Sequence, residues 1–154
     1  MAYTCTTEKQ GKQAVLSIRT RVPAEKLPQK IGESYMTIAK HLETLGEHPS
    51  GAPYVAYYNM DMTDLDVEIG MPTALQLPEG QGIDSGQMAE GTYVTTIHTG
   101  PYDQLKTAYD HLMAYMESEG FRPSGPAYEI YLNDPGELPP DQLQTKVLFP
   151  VVKK

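Results

Sequence analysis

The chain has 154 residues, 40% hydrophobic and 21% charged, enough for one well-buried domain and unlike the hydrophobe-poor composition of disordered segments. A formal net charge of -8 with a pI near 4.9 argues against nonspecific binding to phosphate backbones, which depends on clustered Lys and Arg. The lone Cys5 excludes an internal disulfide and a cysteine cluster, and His41, His48, His98 and His111 lack helical zinc-site spacing, so no metal or other cofactor is expected.

The N-terminal MAYTCTTEKQGKQ has no basic region followed by an apolar run, and reads as a frayed terminus. No segment approaches the length of a membrane span, so a cytoplasmic protein with no membrane partner is expected. A strand is predicted at about 14–22 and an amphipathic helix at about 28–45, with Gly46 as its C-cap. Strands follow at 53–59 and 66–71. The acidic DMTDLDVE, 61–68, lacks the Gly and terminal Glu spacing of a calcium loop and reads as a solvated hairpin turn.

Residues 72–87, rich in Gly and Pro, read as a linker or excursion rather than regular structure. A second strand (91–98) and helix (101–119) come next, with Gly100-Pro101 at the helix start and Gly120 at its end. Strands at 127–132 and 143–151 complete the chain. His98 is expected to anchor the strand–helix turn by hydrogen bonding, and Met60, Met62, Met71 and Met88 to fill the core.

The two halves are duplicates. GEHPSGAPYVAYYN, 46–59, aligns without a gap on GFRPSGPAYEIYLN, 120–133, and upstream Ile31, Tyr35, Ile38 and Leu42 fall opposite Leu105, Tyr109, Leu112 and Met116. Both quartets follow the spacing of one helical face. The predicted architecture is α+β: one domain of two βαββ units, about 14–72 and 88–152, joined by the linker 73–87. The units are expected to share an antiparallel sheet, with both helices on one face and a ligand groove on the other.

Strand alternation sharpens where that groove's chemistry lies. Tyr128, Ile130 and Leu132 share one side and suit the helix-covered core, leaving Glu129 and Tyr131 to point into the groove. By the repeat, Val55 and Tyr57 do the same from the first half. A strand glutamate is as often simply solvent-facing or paired with a neighbouring Lys or Arg, and tyrosine favours strands in any case. The asymmetry tells for function: duplication left an aliphatic Val55 opposite a carboxylate, and nothing near Glu129 in sequence supplies the partner a buried charge needs.

The run from Glu90 to Pro135 followed by QTKVLFPV, with His98-Thr99-Gly100-Pro101-Tyr102 and Tyr128-Glu129-Ile130-Tyr131, resembles the GyrI-like family, the effector-binding domain of bacterial transcription activators. The resemblance covers about 14–152 and implies a tandem βαββ fold with a ligand cavity. Relatives in multidrug-responsive regulators bind lipophilic cations between aromatic walls around a buried glutamate that matches Glu129. Tyr57, Tyr131, Tyr93 and Tyr102 are the candidate walls, and aromatic faces attract cations further. Those regulators carry a DNA-binding helical region ahead of this domain; fewer than twenty residues precede the first strand here, so the resemblance is to stand-alone members.

The expected function is binding of a cationic or lipophilic small molecule, for sensing or sequestration. An alternative is hydrolysis of cyclopropanoid or other strained compounds, with Glu129 as general acid or base; otherwise no catalytic residue is assigned. A third is a gyrase-inhibitor-like interaction with a protein partner, which the acidity permits.

Overall fold

The computed structural model describes residues 3–154. The chain divides into two compact units, residues 11–90 and residues 1–10 with 91–154. Each is an antiparallel sheet carrying one long helix, so the fold is α+β, built on a duplicated βαββ order.

In the unit of residues 11–90, β2 (Gln13–Val22) runs into α1 (Leu27–Thr44), followed by β3 (Tyr54–Tyr57) and β4 (Leu65–Pro72). The sheet order is β3-β4-β2, with β5 (Asp84–Met88) added outside β2. Ile38 and Leu42 of α1 pack on Leu16 and Met71 of the sheet, as the sequence periodicity requires. Each such fully buried aliphatic side chain contributes about 1.5–3 kcal/mol. Leu77 and Ile83 come down on the same cluster, and the His41 imidazole bonds the Pro78 carbonyl at 2.9 Å. The supposed linker is thus a fitted strap ending in a strand.

The other unit repeats this plan. β6 (Gly91–Thr99) leads through a 3-10 turn (Tyr102–Gln104) into α2 (Leu105–Ser118) and on to β8 (Ala127–Tyr131) and β9 (Gln144–Lys153). Its order is β8-β9-β6, with β1 (Thr6–Gln10) added outside β6 and the short β7 (Phe121–Pro123) on one end of β9. Leu105, Ala108, Leu112 and Met116 of α2 pack on Val94, Val147 and Val151. The helix therefore lies over β6 and β9, leaving β8 beside it.

The terminus expected to fray is instead strand β1. Thr6 and Glu8 bond Thr95, and Glu8 pairs with Lys146 at 3.3 Å. The two edge strands are exchanged: β1 precedes the first repeat and pairs in the second, whereas β5 precedes the second and pairs in the first.

Helix ends follow the sequence closely. Gly46 (φ 68°) and Gly120 (φ 74°) take the left-handed conformation that glycine adopts without cost, and Glu47 N–H reaches the Leu42 carbonyl at 2.9 Å to close a Schellman turn. Asp61 caps the acidic hairpin by accepting from the Thr63 amide and hydroxyl. The methionines divide: Met71 and Met88 are core, but Met60 and Met62 stand exposed at that hairpin. Core filling fails for these two because a tight turn has no inward face to offer them.

Candidate functional site

Directly opposed residues on neighbouring antiparallel strands point to one face, which fixes where Glu129 lies. Glu129 opposes Val147, which opposes Thr96, and Val147 belongs to the cluster under α2. Glu129 and Tyr131 thus share a face, as alternation requires, but it is the α2 face and not the helix-free one. The expected orientation of the β8 side chains is reversed: Tyr128 opposes Leu148 on the helix-free side. Because α2 covers β6 and β9, β8 can turn a polar residue to the same side without burying it in the apolar stripe.

Glu129 is 7% exposed, and protein hydroxyls donate to both of its carboxylate oxygens. Tyr109 of α2 donates to Oε2 at 2.5 Å, and Tyr131 donates to Oε1 at 2.8 Å. The expectation that nothing near Glu129 in sequence supplies a partner is therefore corrected, since Tyr131 is two residues away. Tyr109 stands in the helical face where the aligned residue Tyr35 instead donates to the Tyr54 carbonyl at 3.3 Å. The signal was present in sequence: a tyrosine on a buried helical stripe brings a hydroxyl that must find an acceptor.

Tyr102 meets Tyr131 edge-on, with ring centroids 5.5 Å apart, and is 38% exposed. Burial, then the negative charges of Asp134 and Glu129, push its hydroxyl pKa up, so the ring stays neutral at physiological pH. Phe149 stands edge-on to Tyr109 at 6.0 Å. The structure thus gathers Glu129, Tyr131, Tyr102 and Tyr109 into one patch.

Tyr93 does not join it. Val94 is the β6 residue that packs on α2, so Tyr93 points the other way, opposite Glu8 and Pro150, with its ring 6.4 Å from Tyr128. Burial alone raises its hydroxyl pKa. In the other unit, Val55 is fully buried opposite Ile69, and Tyr57 is half-buried opposite Val67. Both share the face of Ile18, which packs on α1.

His98 is held at both nitrogens. The Pro101 carbonyl can only accept, so Nε2 donates to it at 3.0 Å, and Nδ1 accepts from the Tyr3 hydroxyl at 2.8 Å. This fixes the turn into α2. Among the described residues, no group of three or more His, Cys, Asp or Glu side chains is placed to hold a metal ion, and no helix is long and apolar enough to cross a membrane.

A second tyrosine-bound carboxylate lies on the helix-free face of residues 11–90. Glu68 accepts from Tyr54 and from Tyr58, the latter at 3.0 Å, while Arg19 lies 3.6 Å over the Tyr58 ring and forks onto Asp66. Tyr54 crosses Gly70 so closely that a β-carbon there would sit 2.6 Å from its hydroxyl. Arg19 already supplies a cation to this cluster, so it reads as a structural brace.

The chain is similar throughout to the crystallised C-terminal domain of EcmrR (25% identity, TM-score 0.83, all of both chains covered). It matches EcmrR in a cryo-EM complex with DNA at 23% identity and TM-score 0.85, with 99% of this chain aligned to 58% of that one. A Listeria innocua protein described as a hydrolase matches at 16% identity and TM-score 0.72 over 96% of this chain and 91% of that one. SAV2435, solved bound to tetraphenylphosphonium, matches at 11% and 0.62 over 99% and 94%. The last three show the fold alone. No curated protein matches the chain. The model of the GyrI-like small molecule binding domain matches residues 4–152, and the chain belongs to that family.

Proposed function

We propose that the chain binds a lipophilic, cationic small molecule with Glu129 as its charge anchor. The observation that carries this reading is the carboxylate itself, buried on the α2 face and gripped by the Tyr109 and Tyr131 hydroxyls. The two hydroxyls fix the orientation of the carboxylate. A cation bound there gains a direct ion pair in a poorly hydrated setting and the faces of Tyr131 and Tyr102. Family membership supports small-molecule binding in general; the charge of the ligand is argued from Glu129.

Tetraphenylphosphonium, the ligand in the SAV2435 structure, is a suitable probe. Calorimetric titration should give a Kd for the wild type that rises about tenfold or more in Glu129→Gln, the loss expected for one charge-assisted contact. Equal affinity in the two proteins would refute the charge anchor.

A further inference from the structure

Thr145 of β9 is fully buried, and its hydroxyl has no hydrogen-bond partner among the described residues. It lies directly opposite Tyr131 on one side and His98 on the other, so the three side chains share the Glu129 face. Neither neighbour serves it: Tyr131 donates to Glu129, and both His98 nitrogens are engaged by Tyr3 and Pro101.

The duplication gives an internal control. In the other unit the residue opposite Tyr57, the counterpart of Tyr131, is Val67. Valine and threonine have nearly the same shape, so the site accepts an apolar side chain, and the hydroxyl only adds a desolvated polar group. Ser34 shows the same trait on α1: it is buried and unpartnered, and its aligned residue is Ala108. It belongs to the other unit, and serves as the comparison.

We infer that Thr145 is a second, hydrogen-bonding contact for the ligand of the Glu129 patch, selecting cations that carry a hydroxyl or carbonyl group about one aromatic ring away from the charge. This rests on the reading of Glu129 as the charge anchor. The spacing comes from the register: Thr145 is the diagonal neighbour of Glu129, at a separation of roughly 7–8 Å in an antiparallel pair. Because Thr145 is sealed, the ligand reaches it by displacing a neighbouring side chain.

The test uses two probes of equal charge: tetraphenylphosphonium and its analogue with a hydroxymethyl group in the para position of one ring. The wild type should prefer the alcohol by about tenfold, the scale of one well-made hydrogen bond. Thr145→Val should abolish that preference while leaving tetraphenylphosphonium affinity within about twofold, and Thr145→Ser should keep it. Ser34→Ala should change neither affinity.

Loss of the same factor for both probes in Thr145→Val, or no preference in the wild type, overturns the role of Thr145 and leaves Glu129→Gln to judge the anchor. If Glu129→Gln binds tetraphenylphosphonium like the wild type, or the wild type binds neither probe, the anchor falls and this inference with it.

Discussion

Tyr109 and Tyr35 occupy the same place in the two repeats, and Tyr109 donates to the Glu129 carboxylate while Tyr35 donates to the Tyr54 carbonyl. The difference lies in the strand beneath, where Val55 offers no acceptor and Glu129 offers two oxygens. A hydrogen bond to a charged group is worth about 1.5–3 kcal/mol, against about 1 kcal/mol for a neutral one. Tyr109→Phe should therefore lower stability by about 2 kcal/mol and Tyr35→Phe by 1 kcal/mol or less, read from urea midpoints at neutral pH. Equal losses would mean the Glu129 bond is no stronger than the main-chain one. Alternation along β8 made the shared face of Glu129 and Tyr131 legible in sequence. Which face that was depended on the lateral placement of α2 over β6 and β9, and periodicity within one segment carries no such information. Tyr93 and Glu129 fall on opposite faces for the same reason, and a lone threonine in a strand, such as Thr145, reads as ordinary β propensity.

At the level of elements, the helices and the strands of the two βαββ units were legible because they bury one face and carry that face's period in their sequence. The edge strands were not. TTEKQ and DSGQM have no apolar alternation, since each has a neighbour on one side only and little core to cover. Their order in space is set by pairing with a partner distant in the chain. β1 adds a backbone ladder along β6, the Glu8–Lys146 pair and a 2.8 Å bond between the hydroxyls of Thr7 and Tyr115 on α2. Removing residues 1–10 should therefore loosen the unit of residues 91–154 and spare that of residues 11–90. Hydrogen exchange would show this as lost protection at the β6 amides with β2 and β4 unchanged. Unchanged protection in β6 would mean that β1 is only an ornament on its edge.

At the scale of the whole chain, each unit carries carboxylates whose charge the fold favours, and acid should act on both. The Arg19 guanidinium, hydrogen-bonded to Asp66, holds that carboxyl below its usual pKa. Burial alone would raise Glu8, but the charge and hydrogen bond of Lys146, with bonds from Gln10 and Thr95, bring it below the usual range. Thr63 lowers Asp61 through its hydroxyl and amide. A carboxyl with a depressed folded-state pKa adds stability above its unfolded-state value, about 3.9 for Asp and 4.3 for Glu, and loses it as pH falls through the folded-state value. The net charge of -8 works the other way between pH 7 and the pI near 4.9, because protonation there relieves self-repulsion. Urea midpoints should hold or rise slightly from pH 7 to about 5, then fall steadily below about 4.5 as the paired carboxylates are titrated. Asp66→Asn should be less stable than the wild type at pH 7 and converge with it at pH 3, since acid removes from the wild type what the substitution has already removed. Parallel curves for the two proteins across that range would show that the Arg19–Asp66 pair takes no part in the acid limb, and would leave self-repulsion among newly uncompensated cations as its cause.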